Sequence, residues 1–120
     1  MSVPKIFESE YRFCCILWDH QPVSSSELVK LCAAELGWKK STTYTVIKRL
    51  TERGVVHTDN AIVTALVSRE QVQEQESREF VDKTFSGSLP QFLAAFTRHQ
   101  NLSREDIDQI RSLIDSYEEV

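Results

Sequence analysis

Lys39, Lys40, Ser41, Thr42, Tyr44, Thr45, Lys48 and Arg49 bring cationic groups and hydroxyls together in one short stretch of the chain. Ammonium and guanidinium groups attract phosphate oxygens, and hydroxyls and guanidinium groups also hydrogen-bond the edges of bases, so the chemistry on offer is that of nucleic-acid contact. The spacing predicts a helix from about Ser41 to Arg53, with Thr43, Val46, Ile47 and Leu50 as its apolar stripe and Gly54 as its stop. Ser41, Thr42, Tyr44, Thr45, Lys48 and Arg49 then lie away from that stripe. An α-helix fits the major groove of B-DNA, where Thr42, Tyr44, Thr45 and Arg49 suit base edges and thymine methyls, and Lys39, Lys40 and Lys48 suit phosphates. The competing reading is that such a face is only solvated helix surface.

Charge distribution, together with the order of the elements, favours the nucleic-acid reading. The 120-residue chain carries a net charge of -4, yet residues 1–67 hold eight Lys/Arg against seven Asp/Glu, and residues 68–120 hold six against eleven. Within the first part, Lys39, Lys40, Lys48, Arg49 and Arg53 are opposed between positions 38 and 53 only by Glu52. A basic patch therefore sits on one helix of an otherwise acidic chain.

Other chemistry finds little support. His20, His57 and His99 are scattered, with no Cys or carboxylate pair at metal-ligand spacing, and no Gly-rich phosphate loop is present, so neither an enzyme nor a bound cofactor or metal is expected. Glu105, Asp106 and Asp108 lie near a helix start, where the macrodipole already accounts for acidic residues. Cys14, Cys15 and Cys32 are odd in number and two are adjacent, which suggests reduced, buried thiols, with a redox sensor as the alternative. No apolar run is long enough to span a membrane and the first residues do not read as a signal peptide, so a cytoplasmic protein without membrane insertion is expected.

The elements that must position the basic helix follow from periodicity. Tyr11 to Trp18 reads as a short, largely buried helix with Tyr11, Cys14 and Trp18 at helical spacing, ended before Pro22. Ser24 with Glu27 forms a capping box, Val23 and Leu28 the staple, and Leu28, Leu31, Cys32 and Leu36 the stripe of a second helix closed by Gly37. Val55 to Val67 holds two β-prone runs around Asp59-Asn60, a hairpin. Three helices followed by a hairpin is the order of a winged helix-turn-helix domain.

Beyond Ser68 three more helices are expected: about Arg69 to Phe85, one opened by Pro90 after a break at Ser86-Gly87-Ser88, and one capped by Ser103, with Asp106, Leu102 and Ile107 completing its box and staple. Their narrow stripes, including Val72, Phe80, Phe85, Leu89, Phe92, Phe96, Ile107, Ile110 and Ile114, cannot easily close a core within one chain, which assigns these residues to a homodimer interface. The expected fold is mainly α with a small β-hairpin: a winged helix-turn-helix domain at 1–67, followed by a three-helix dimerisation segment at 68–120.

Several stretches together resemble one family. Glu10-Tyr11 with Ile16-Leu17-Trp18, Pro22-Val23-Ser24 with Glu27-Leu28, Gly37-Trp38 with Ser41-Thr42-Thr43, Leu50 through Val56, Leu66 through Glu70, Phe85 through Leu89 and Leu102 through Ile107 are similar to the penicillinase repressors, the BlaI/MecI/CopY family. The resemblance implies a dimeric repressor with a winged-helix domain on an inverted-repeat operator of double-stranded DNA, and an intertwined three-helix part. In β-lactam-responsive members a sensor protease cleaves the repressor at Asn-Phe. Ala95-Phe96 stands at that place here, a departure that weakens the case for a sensor protease acting there, and its helical spacing favours packing on the interface stripe. Lys39 replaces the family's usual Ser at the start of the recognition helix, which would pass capping to Ser41 or Thr42. The wing, His57 to Thr64, is short and without basic residues, and no Cys follows Cys32 to serve copper sensing. The rival to a DNA-binding repressor is a winged-helix module or adaptor that contacts only protein.

Overall fold

The computed structural model describes residues 3–99 and 101–118. They form α1 (Glu8–His20), β1 (Val23–Ser24), α2 (Ser25–Leu36), α3 (Lys40–Glu52), β2 (Val56–Asp59), β3 (Ile62–Ala65), α4 (Arg69–Phe85), α5 (Leu89–Thr97) and α6 (Arg104–Asp115). The chain divides into two compact units, Met1–Ser77 and Arg78–Val120.

The first unit closes a core of its own. Phe13, Cys14 and Leu17 of α1, Leu28 and Cys32 of α2, Val46, Ile47 and Leu50 of α3, and Val55, Val56 and Val63 of the sheet region are buried together. In α1 the fully buried residues are Phe13, Cys14 and Leu17, while Tyr11 and Trp18 are half-buried at its flank. The helix is also longer than its apolar run, because Glu8 and Glu10 favour its positive end and the Phe7 N–H donates to the Glu10 carboxylate at 2.9 Å. Burial pushes the Cys14 thiol up to about 12, with the neighbouring Cys15 and Glu10 adding to the rise, so this sulfur stays protonated in neutral solution.

Sheet order is β1-β3-β2, all antiparallel. The hairpin turns at Asn60 and Ala61, both with positive φ, one residue later than the Asp59-Asn60 position expected from turn propensity. β1 is the element that the sequence did not announce. Val23 pairs with Val63 and Ser24 with Ile62. Two residues are too few for a periodic signal, and the pairing depends on a strand about forty residues away. With Ser25 N–H donating to the Ala61 carbonyl at 2.9 Å, it ties the hairpin tip to the start of α2.

Side-chain links hold the remaining parts of this unit. At its start, α4 is docked on α1: Trp18 Nε1 donates to the Val67 carbonyl at 2.9 Å, and Arg69 pairs with Asp19 at 2.9 Å while lying over the Trp18 ring. Glu10, only 4% exposed, is paired with Arg53 at the C-terminal end of α3, and Arg53 also donates to the Lys5 carbonyl at 2.7 Å. Burial by itself would raise the Glu10 pKa. The hydrogen bonds from Arg53 and from the Phe7 N–H, with the charges of Arg53 and Arg49, more than offset this and hold it below its ordinary value of 4.5.

The second unit is built differently. Ser88 and Ser103 cap α5 and α6, accepting from the N–H groups of Gln91 and Asp106 at 3.2 and 3.0 Å. Phe80, Phe85, Phe92 and Phe96 form a ring cluster with centroids 5.5–5.9 Å apart. None of its described residues is fully buried.

The Glu10–Arg53 pair sets a prediction. Arg53→Ala leaves a buried carboxylate unpaired and is expected to cost about 3 kcal/mol near neutral pH, the low end for a buried pair because Arg53 keeps some contact with water. In the wild type the pair's contribution is complete above the ordinary carboxylate range and fades as the pH falls through the lowered Glu10 value. The deficit of the variant therefore shrinks in acid, where Glu10 is neutral in both proteins. Urea denaturation as a function of pH checks both, and a deficit independent of pH would show that Glu10 is not the cause.

Candidate nucleic-acid interface

Helix α3 owes its orientation to its own apolar stripe. Thr43, Val46, Ile47 and Leu50 are all buried, as their spacing requires, and this turns Ser41, Thr42, Tyr44, Thr45, Lys48 and Arg49 to solvent. Lys39 and Lys40 at the start of the helix are exposed as well. All eight residues expected at a nucleic-acid contact thus lie on one accessible surface.

The turn before α3 is fixed by packing. Gly37 closes α2 in the left-handed conformation at φ 69°, a position that suits a residue without Cβ. The Trp38 ring then stacks parallel to Phe13 of α1 with centroids 6.3 Å apart, which anchors the connection between α2 and α3 to the core.

The capping expectation is corrected. Capping does not pass to Ser41 or Thr42: the N-cap is Lys39, the helix begins at Lys40, and no side chain caps it. Extended backbone at Lys39 sets this start, and Ser41 and Thr42 already lie within the first turn. The first turn contains no acidic residue. Two lysines at the positive end of a helix dipole, beside N–H groups without helical partners, are an arrangement that folding alone does not favour.

The cations differ in their surroundings. Lys40 Nζ lies 6.0 Å from the centre of the Tyr44 ring, which is 40% exposed. Arg49 is exposed, although the Glu10 carboxylate feels its charge. Arg53, counted in the basic cluster by sequence, is turned away and committed to Glu10 and Lys5. Sequence offered no local sign of this, since Glu10 stands beside Glu8, Ser9 and Arg12 at the polar start of α1. Glu52 is exposed at the far end of α3, so the positive character is strongest in the N-terminal half. The hairpin exposes His57, Thr58, Asp59, Asn60, Ala61 and Ile62, with no Lys or Arg among them.

The residues assigned to a dimer interface do not all lie together. Val72 is corrected: it is 2% exposed and packed within the core of the first unit, so it has no surface left to offer another chain. Its apolar neighbours in sequence are few, and helical spacing alone could not tell which partner it faces. In the second unit Phe80, Leu89 and Phe96 are about half exposed and Ile114 is 60% exposed, while Phe85, Phe92, Ile107 and Ile110 are half-buried. Leu113 and Tyr117 are also exposed apolar residues of this unit.

Among the described residues no three His, Cys, Asp or Glu side chains gather as a metal-binding set, and no helix is long and apolar enough to cross a membrane.

Comparison with known proteins agrees with this architecture. The solution structure of the DNA-binding domain of the repressor BlaI superposes with a TM-score of 0.50 at 21% identity, covering 59% of this chain and 93% of that domain, a likeness of fold. The methicillin resistance regulatory protein MecI of Staphylococcus aureus is 24% identical over 114 residues, which span 92% of this chain and 93% of that protein. A penicillinase repressor of Bacillus licheniformis is 21% identical over 120 residues, spanning 97% and 94%. Residues 6–116 match the penicillinase repressor family model, and the chain, a winged-helix protein followed by a three-helix segment, belongs to the penicillinase repressor family.

Proposed function

We propose that the chain is a transcriptional repressor that binds an inverted-repeat operator as a homodimer, acting in the cytoplasm by occupancy of DNA and not by catalysis. The observation that carries this reading is the α3 surface: eight cationic or hydroxyl-bearing residues, uncovered by the rest of their unit, at a helix start left without a side-chain cap. Lys39 and Lys40 oppose the helix dipole, and an anion at that end would complement both the lysines and the free N–H groups. A phosphate of the DNA backbone is such an anion. Family membership supplies the regulatory context.

In this reading residues 1–67 bind DNA and residues 68–120 hold the dimer. Lys39, Lys40 and Lys48 anchor phosphates, and Thr42, Tyr44, Thr45 and Arg49 face the bases from the major groove, with Ser41 on the same DNA-facing surface. The hairpin, exposing Asp59 and no cation, contributes little to phosphate binding. Two copies bring two basic helices to symmetric half-sites, which offsets the acidic net charge of each chain. The dimer reading is supported by the second unit, whose described residues leave Phe80, Leu89, Phe96 and Ile114 substantially exposed. Ala95 and Phe96 serve there as packing residues, Phe96 beside Phe92 at 5.9 Å between centroids.

Selection of duplexes from a random pool with the purified protein tests the reading directly, followed by affinity measurements over a range of salt. Binding is expected to fall steeply with salt through counterion release. No retained duplex even at low salt would favour the protein-only adaptor.

Two substitutions test its parts. Lys39→Asp supplies an N-cap acceptor and a favourable charge at the dipole, so it is expected to stabilise the fold by about 1 kcal/mol. It should also weaken binding to all duplexes alike and lower the salt slope by about one. Thermal melting and binding titrations would show these opposite signs, and unchanged DNA binding would remove Lys39 from the contact.

Ile114→Asp alters a residue already exposed within its own chain, so the helical content of a monomer should not suffer. If the face is an interface, the substitution should shift the protein from dimer to monomer in sedimentation velocity and weaken binding to a two-half-site operator far more than to a half-site. A dimer that persists unchanged would place the interface elsewhere.

A further inference from the structure

The α3 surface has a restricted chemical vocabulary. In the major groove, adenine is distinguished by a paired donor and acceptor from Asn or Gln, cytosine by a carboxylate accepting from its amino group, guanine by Arg or Lys, and thymine by apolar contact with its methyl. Lys40 to Glu52 contains no Asn and no Gln. Its one carboxylate, Glu52, is at the last position, away from the N-terminal half that helix-turn-helix proteins present to base edges. Gln21, the nearest carboxamide before α2, is occupied as acceptor of the Ala65 N–H at 2.7 Å.

Hydroxyls do not fill this gap. A Ser or Thr hydroxyl rotates to donate or accept, so it bonds several base edges and distinguishes them poorly. What remains on the surface to recognise an A·T pair is the apolar part of the threonines and the ring of Tyr44. Thr45 is two residues from both Thr43 and Ile47, which are buried, and at 3.6 residues per turn this places it on the side of the helix opposite those two, within the exposed strip. Tyr44 beside it presents a 40% exposed ring whose other neighbour is the Lys40 ammonium.

We infer that this helix reads A·T pairs through the thymine methyl and not through the edge of adenine, with the γ-methyl of Thr45 as the deciding contact. The inference rests on the DNA-binding reading above and adds the base and the group by which it is read. G·C pairs are left to Arg49.

The test uses the full-length protein and the tightest duplex recovered from a random pool. That duplex is remade with deoxyuridine for thymidine, which deletes only the methyls, and separately with 7-deazadeoxyadenosine, which deletes the adenine N7 acceptor. Deoxyuridine is expected to weaken binding about fourfold per contacted position, the worth of one buried methyl. The deaza duplex should bind like the parent.

Thr45→Ser keeps the hydroxyl and removes the methyl at an exposed site. It is expected to weaken binding to the thymidine duplex and to lose the distinction between thymidine and deoxyuridine, a non-additivity that marks direct contact. Equal affinity for thymidine and deoxyuridine duplexes would overturn the inference while leaving DNA binding intact, and so would loss of affinity on the deaza duplex alone. Retention of the full thymidine preference by Thr45→Ser would overturn the role of Thr45. Failure to recover any duplex would overturn the DNA-binding reading, and this inference with it.

Discussion

A carboxylate removed from water must be paired and hydrogen-bonded or it will not stay ionised, and Glu10 is such a group. Its two principal partners lie far apart in sequence: the N–H of Phe7, which begins α1, and the guanidinium of Arg53, which ends α3. Arg53 in turn holds the Lys5 carbonyl. Satisfying one buried charge therefore fixes the start of one helix against the end of another. The apolar stripe of α3 sets its rotation and this pair locates its C-terminal end. Between them the direction of the opposite, hydroxyl-bearing face is determined, and no separate device is needed to expose it.

The same arrangement sorts the cations by role. Arg53 contributes to folding and is lost to any ligand, whereas Lys39, Lys40 and Lys48 are exposed and pair with no carboxylate among the described residues. At the N-terminus of α3 the sequence departs from what stability favours: no acidic residue in the first turn, no capping side chain, and lysines at the positive end of the dipole. Each departure costs a few tenths to about 1 kcal/mol. Local choices that contradict the fold in this way concentrate where a protein meets a ligand. The buried Thr43 hydroxyl is a smaller exception on the inner face, with the Cys32 thiol as its polar neighbour.

Much of this was legible in the residues themselves, where the signal was local. Ser24 and Ser103 cap helices as their spacing to Glu27 and Asp106 requires, Gly37 ends α2, and Thr43, Val46, Ile47 and Leu50 turn inward together. What sequence missed depended on distant partners. β1 exists because β3 pairs with it, the commitment of Arg53 requires Glu10 at a separation of 43 residues, and Val72 is drawn into the core of the first unit. Turn propensity placed the hairpin reversal one residue early, since register with β3, and not the preference of Asp59, selects Asn60 and Ala61. The extent of α1 was underestimated because its ends are polar, and charge at the dipole extends a helix beyond its apolar run.

The two units differ in how completely they satisfy themselves, and on the proposed reading that difference has a mechanical use. The first unit closes a buried core of its own, with Phe7, Ile62 and Leu66 left exposed, and needs no partner to present α3. The second, with exposed phenylalanine, leucine and isoleucine side chains, gains most from a second copy. A single basic helix on an acidic chain makes few phosphate contacts and binds weakly. Joining two such helices turns the second contact into an intramolecular event and multiplies affinity without any new interaction with DNA. Affinity for a two-half-site operator then depends as much on whether copies are joined as on the chemistry of α3. It follows that an influence acting only on the apolar residues of the second unit can release DNA while leaving every DNA-facing side chain unchanged.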